Sequence, residues 1–271
     1  MEPCVLCGTT DATATREHVI PGWARRSFDI QGPVMVGARE EPSELRTRVG
    51  KIQHLNITLD DAICGNCNTV WLSRLERAVR PFLAPMAVSA KPTTLDAKRQ
   101  ALIATWAVKT VLLFEMAIRQ MYPTGRPIQG YRASPQELAW LRANREPPPR
   151  SLVWLGCWDC QQAIPVNYAP SDAPLPMADG SPVAGHFTTL ALGYVALQVF
   201  TVDFVAAEQH RAASWNTKVP ASLAQALIRI WPPSPLPREV SWPPQAFARE
   251  DWNRLVTWDG ELRQGGPGPT R

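Results

Sequence analysis

Two pairs of cysteines, Cys4-Val-Leu-Cys7 and Cys64-Gly-Asn-Cys67, carry the spacing at which a single turn presents two thiolates to one ion. Four such thiolates close a tetrahedral structural zinc site, with Zn–S distances of about 2.3 Å. The separation between Cys7 and Cys64 is far beyond the roughly 15–20 residues of a compact zinc ribbon. An inserted segment must therefore bring the two halves together. Disulfide pairing is the alternative. The N-terminus shows neither a basic region nor an apolar run, so a reducing, cytoplasmic setting is expected, and zinc is favoured over disulfides.

Between the pairs stands Glu17-His18-Val19-Ile20-Pro21, and Asn68 directly follows the last cysteine. A histidine can take a proton from water near neutral pH, and a carboxylate is a hard ligand suited to Mg²⁺ or Mn²⁺. Neighbours on a strand point to opposite faces, so Glu17 and His18 reach one ion only at a bend or an edge. Pro21 and Gly22 offer a break just beyond. A solvated pair entering a helix is the plainer reading. Asn68 opens an amphipathic stretch with Trp71, Leu72, Leu75 and Val79. Its side chain can cap that helix. If zinc pins Cys67 beside Cys4 and Cys7, Asn68 also lies near Glu17-His18, where its amide oxygen could serve a metal.

Cys-x-x-Cys, Glu-His-Val-Ile-Pro and Cys-x-x-Cys-Asn together resemble the zinc-bearing HNH endonucleases over residues 1–80. The resemblance implies a treble-clef or ββα-metal core with a structural Cys4 zinc. It implies Glu17 as a ligand of a catalytic Mg²⁺ or Mn²⁺, His18 as general base, and Asn68 as a second ligand of that ion. Asn56 is the nearest counterpart of the motif's middle asparagine, although its spacing to Cys64 is loose. Where the family often carries a lysine, three residues past the last motif position, this chain has Trp71. The segment between residues 24 and 52 is longer than in minimal members. The implied activity is hydrolysis of phosphodiester bonds in nucleic acid, DNA in the first instance. A non-catalytic zinc module that binds nucleic acid or protein is the rival reading.

The elements that must position these groups follow from composition and punctuation. The chain has 271 residues, 45% of them hydrophobic and 19% charged, as expected of a soluble globular protein; with the HNH-like module, a helical middle and a strand-rich remainder, an α+β fold is expected. Residues 1–80 hold ten basic and ten acidic side chains, whereas residues 81–150 hold ten basic and four acidic. Basic excess beside the zinc module suits a nucleic-acid surface, as it also suits solvated helix faces. Arg16, Arg25, Arg26, Lys98 and Arg99 are the candidate phosphate contacts. Ala101–Met121 is the most helical stretch, and Lys109 and Glu115 within it argue for a buried helix over a membrane span.

Pro81 and Pro85 are expected to end the helix that follows the second cysteine pair. Pro147-Pro148-Pro149 separates a helical, basic segment (81–150) from a strand-rich region (151–259), in which Phe187–Val202 fits a hairpin divided at Gly193. Trp231–Pro233 and Trp242–Pro244 read as rigid turns that pack an aromatic ring. Residues 260–271, polar and rich in Gly and Pro, read as a disordered tail. Cys157 and Cys160 form a third CxxC without a partner pair, since only His186 and His210 follow, and they read as core thiols. His54 reads as structural, and most of the eleven tryptophans as core.

Overall fold

A computed structural model describes residues 3–10, 13–28, 33–36, 50–53, 57–121, 133, 135–159, 166–172, 175–176, 182–183, 185–202, 214–217, 219, 223–233, 238–247, 251, 255 and 262–265. His54, Asn56, Cys160 and His210 lie outside them. The architecture is mixed helix and sheet, compatible with α+β.

Strand β1 (Ala14–His18) precedes a short helix α1 (Gly22–Ser27) and a small hairpin of β2 (Pro33–Val36) with β3 (Gly50–Gln53). Both strands fall within the long segment between the cysteine pairs. Strand β4 (Thr58–Cys64) then returns antiparallel to β1, with Glu17 opposite Leu59 and His18 opposite Thr58. The register slips between Thr15 and Arg16, where Asp61 on the facing strand takes φ 59°. A bulge of this kind bends the strand and re-aims its side chains.

A wide π-helical turn, Cys67–Leu72, runs into α2 (Ser73–Ser89). This corrects the expected break, because α2 passes through both Pro81 and Pro85. Proline removes a helical N–H and crowds the preceding turn, at a cost of about 3 kcal/mol in a helix interior. Here Val79, Leu83 and Met86 are fully buried on the helix face that spans the prolines. Burying each such side chain contributes about 1.5–3 kcal/mol, which offsets the local defects. The helix ends at Ala90, held at φ 48° by its N–H bond to the Met86 carbonyl.

After β5 (Thr93–Leu95) comes α3 (Ala97–Met121), the central helix. Ile103, Trp106, Val108, Leu112 and Leu113 are all buried, so its surroundings are apolar on nearly every side. Its length and hydropathy would also suit a bilayer, but 78% of that stretch is buried within the fold. Helix α4 (Pro135–Asn144) packs beside it.

The remaining chain is strand-rich: β6 (Leu152–Trp158), β7 (Val166–Asp172), β8 (Leu175–Pro176), β9 (Pro182–Val183), β10 (Gly185–Leu192), β11 (Val195–Val202), β12 (Ser214–Thr217), β13 (Leu227–Trp231), β14 (Val240–Trp242), β15 (Ala246–Phe247) and β16 (Leu262–Gly265). The main sheet has the order β13-β6-β11-β10-β7, with β15 added parallel to β6. Within the stretch read as a tail, β16 pairs antiparallel with β12. Of the two Trp-Pro turns, Trp242 is buried, and its Nε1–H points to the Gly156 carbonyl.

The β10–β11 turn joins this sheet to the N-terminal half. Tyr194 N–H donates to the Ala87 carbonyl at 2.9 Å, satisfying an orphan acceptor in the last turn of α2. Gly193 takes φ +54°, and a Cβ there would stand 2.1 Å from the Ala87 oxygen and 2.6 Å from the Phe28 ring. Gly193→Ala should therefore cost about 2 kcal/mol or more through steric overlap and backbone strain. Urea unfolding should show a lower midpoint with an unchanged slope. A wild-type midpoint would mean that the turn does not seat against α2.

Candidate functional site

Cys4, Cys7, Cys64 and Cys67 come together, with their sulfur atoms all within 4.8 Å of one another. The Cys7–Cys64 separation is 3.7 Å. Four sulfurs at about 2.3 Å from a tetrahedral centre stand about 3.8 Å apart, so this donor set fits zinc in kind and in spacing. Gly8, at φ +73°, turns the chain after Cys7, and its N–H bonds the Cys4 carbonyl at 2.7 Å. Backbone N–H groups also face the sulfurs: Cys64 N–H donates to Cys4 Sγ, and Cys67 N–H to Cys64 Sγ, each at 3.4 Å.

Burial acts against ionising these thiols, and hydrogen bonds act for it. At Cys4 burial pushes the pKa up, but N–H groups of Cys64, Cys7 and Leu6 outweigh it and bring the thiol to about 7. At Cys67 burial dominates and raises the pKa, although the Arg142 side chain on α4 bonds its sulfur and opposes the shift. Cys7 is raised as well, again chiefly by burial. One thiolate thus forms at the expense of its neighbours. A bound dication reverses that order, because coordination deprotonates thiols outright.

The cluster anchors the π-helical turn beside β1. Asn68 Nδ2 donates to Thr15 Oγ1 at 3.0 Å and to the Arg16 carbonyl at 3.2 Å. Asn68 therefore ties the helix to the strand one residue before Glu17, and its side chain does not cap its own helix through these bonds. His18 ends β1, half-buried, with Nδ1 shielded from solvent.

Glu17 faces inward. Its residue is only 5% exposed, and Oε1 lies 4.0 Å from the ammonium of Lys109 on α3. Lys109 is fully buried and also pairs with Glu76 of α2 at 3.2 Å. Eleven residues along α3, three turns away on the same face, Gln120 clamps the bulge of β4. It accepts from Asp60 N–H at 2.9 Å and donates to the Asp60 carbonyl at 2.8 Å. Burial pushes the Glu17 carboxyl up from 4.5 to about 7; Lys109 pulls it down, and Glu76 adds to the rise.

Lys109, Gln120 and Arg142 belong to no motif. Lys109 had a signal: a lone lysine in an apolar helical run needs a buried carboxylate partner. Among the proposed phosphate contacts, Arg16 forms an exposed pair with Asp60, a type worth at most about 1 kcal/mol. Lys98 is exposed. Arg99 Nη1 donates to the Thr94 carbonyl, and its guanidinium lies 5.9 Å from the centre of the Phe82 ring. Arg25 is half-buried and Arg26 exposed, both on α1.

Set against protein-family models, curated proteins and solved structures, the chain matches none.

Cys64→Ser should release about one zinc per chain and loosen the β1–β4 pair, because a structural zinc carries much of a small module's folding energy. Elemental analysis and hydrogen exchange of residues 1–80 measure both effects. Zinc-free protein from a chelator-free preparation would rule the assignment out.

Glu17 makes a second prediction. Its folded pKa, about 7, lies above its ordinary 4.5, so the folded chain binds the extra proton between those values. Stability attributable to Glu17 should fall as pH rises from about 4.5 to about 7 and then level off. The total is up to roughly 3 kcal/mol at 1.36 kcal/mol per unit. The difference between wild type and Glu17→Gln isolates this slope from that of the cysteines. Parallel stability curves for the two proteins would place Glu17 in solvent.

Proposed function

We propose that this chain is a metal-dependent endonuclease of the HNH type, hydrolysing phosphodiester bonds of nucleic acid, DNA in the first instance. The observation that supports it most is the pairing of β1 with β4, followed by a helix whose Asn68 bonds the Arg16 carbonyl. Two antiparallel strands and a helix sit beside the four cysteines, and Asn68 bonds the strand at Thr15 and Arg16, next in the chain to Glu17-His18. In this reading the zinc is structural, and its four ligands leave no position for substrate.

His18 is the general base. It ends β1 at a half-buried position, where it can take a proton from water and keep its orientation. Asn68 fixes the approach of the helix to the strand and keeps an amide oxygen for a ligand. Glu17 supplies carboxylate charge, balanced from behind by Lys109. A divalent Mg²⁺ or Mn²⁺ bound by Glu17 and Asn68 would supply charge neutralisation at the phosphate and the leaving 3′-oxygen.

One observation favours a second reading, a non-catalytic zinc module that binds nucleic acid or protein. Glu17 is buried and already paired with an ammonium, so a dication must compete with Lys109 for it.

Cleavage of plasmid, linear and single-stranded substrates with Mg²⁺ or Mn²⁺ separates the two. His18→Ala should lower cleavage by at least about 10²-fold while zinc content and fold persist. Asn68→Ala should also lower it, with partial rescue at higher Mg²⁺ or Mn²⁺. Wild-type cleavage by folded, zinc-loaded His18→Ala would reject this mechanism. No cleavage by the unmutated chain on any substrate would select the zinc module.

A further inference from the structure

A cavity of about 200 Å³ opens between α1 and α2. Its wall includes Trp23 and Arg26 from α1, and Ser73, Glu76, Arg77 and Arg80 from α2. Three arginines therefore line one recess. Among the described residues none of the three has a carboxylate within ion-pair distance. The lone acid in the wall, Glu76, is already engaged by buried Lys109 at 3.2 Å. The surplus is positive charge fixed on two packed helices.

The donors are numerous and largely uncommitted. Arg77 uses Nε to bond the Ser73 carbonyl, which sets the direction of its guanidinium while the terminal nitrogens stay available. Trp23 is 5% exposed, and its Nε1–H has no acceptor among the described residues. Guanidinium groups match the oxygens of a phosphate in geometry as well as charge. Arg26, Arg77 and Arg80 are exposed, so the recess is open along its rim. An open basic rim admits a polymer lying across it, where a small anion would call for enclosure.

We infer that this α1–α2 cavity seats a backbone phosphate of nucleic acid, gripped by Arg26, Arg77 and Arg80. The inference deepens the nuclease reading and rests on its nucleic-acid substrate. Arg77 and Arg80 are three residues apart on α2 and Arg26 reaches them from α1, so two helices share one phosphate contact region. The cavity connects to β1 through charge: Glu76 lines it, Lys109 pairs with Glu76, and Lys109 also approaches Glu17. His18 is not part of its wall. The site is therefore one of grip, beside the proposed site of cleavage.

The test is binding of the zinc-loaded full chain to a short fluorescein-labelled DNA duplex, without added Mg²⁺ or Mn²⁺, across a salt series. Arg77→Gln with Arg80→Gln should weaken binding roughly tenfold or more near 0.1 M salt. It should also reduce the slope of log affinity against log salt by about 0.9 for each phosphate charge that is no longer neutralised. Arg26→Gln should act in the same direction. Arg74→Gln, an exposed arginine on the same helix but outside the cavity, should change neither. Equal effects of Arg74→Gln and the cavity variants would assign the arginines to general surface charge and overturn the inference. So would wild-type affinity in the cavity variants, or no duplex binding by the unmutated chain. Thermal stabilisation by inorganic phosphate without duplex binding would give the cavity to a free phosphate and overturn the nucleic-acid assignment. Cleavage assays keep the two readings apart. Binding that depends on these arginines without any cleavage would fail the nuclease and keep the grip. Cleavage that ignores the arginines would do the reverse.

Discussion

Lys109 is buried between carboxylates from two different elements, Glu17 on β1 and Glu76 on α2. An ammonium without water is tolerated only when opposite charge and hydrogen bonds replace its hydration. Glu17 is subject to the same constraint, being buried beside it, whereas Glu76 brings a carboxylate that keeps some contact with water. The three groups must therefore arrive together. Removing one partner of such a set typically costs about 3–5 kcal/mol, because the charge left behind stays buried. This requirement fixes α3 against the β1–β4 pair and against α2 at once. The Gln120 clamp on Asp60 repeats the contact three turns along the same helix.

The four cysteines act at the other end of the β1–β4 pair. They join the first turn of the chain to the end of β4 and the start of the π-helical turn. Sulfur positions suited to zinc thus stand at one end of a short strand, and the Lys109 charge cluster holds Glu17 near the other. Asn68 stitches the helix to the strand between them, at Thr15 and Arg16. The strand-rich half contributes by packing: its β10–β11 turn docks on the last turn of α2, and one apolar core runs from Cys4 to Trp242. The segment that grips α2 is thus far from the cysteines in sequence and near their helix in space.

The same geometry poses the competition at Glu17. Its carboxyl is expected to hold its proton up to about pH 7, because burial outweighs the attraction of Lys109. A dication binding there must overcome both the proton and the ammonium. Whether Glu17 serves chemistry or only the core depends on that balance of charge, which three side chains from three elements set jointly.

Much of the local structure is legible in the sequence. Two CxxC turns bring four soft ligands into play, an apolar run with one lysine reads as a buried helix, and Gly193 divides a hairpin. These signals are local, set by spacing and period within a few turns of chain. What the prolines do inside α2 is not legible, because the burial of Val79, Leu83 and Met86 overrides the local penalty. Nor is the pairing of β16 with β12, since composition reports low propensity and not the strand that awaits a partner. The partners of Lys109 and the meeting of Arg26 with Arg77 and Arg80 belong to tertiary structure alone. They join residues about thirty to ninety positions apart, and only the packing of α1, α2 and α3 around β1 brings their charges within reach of one another.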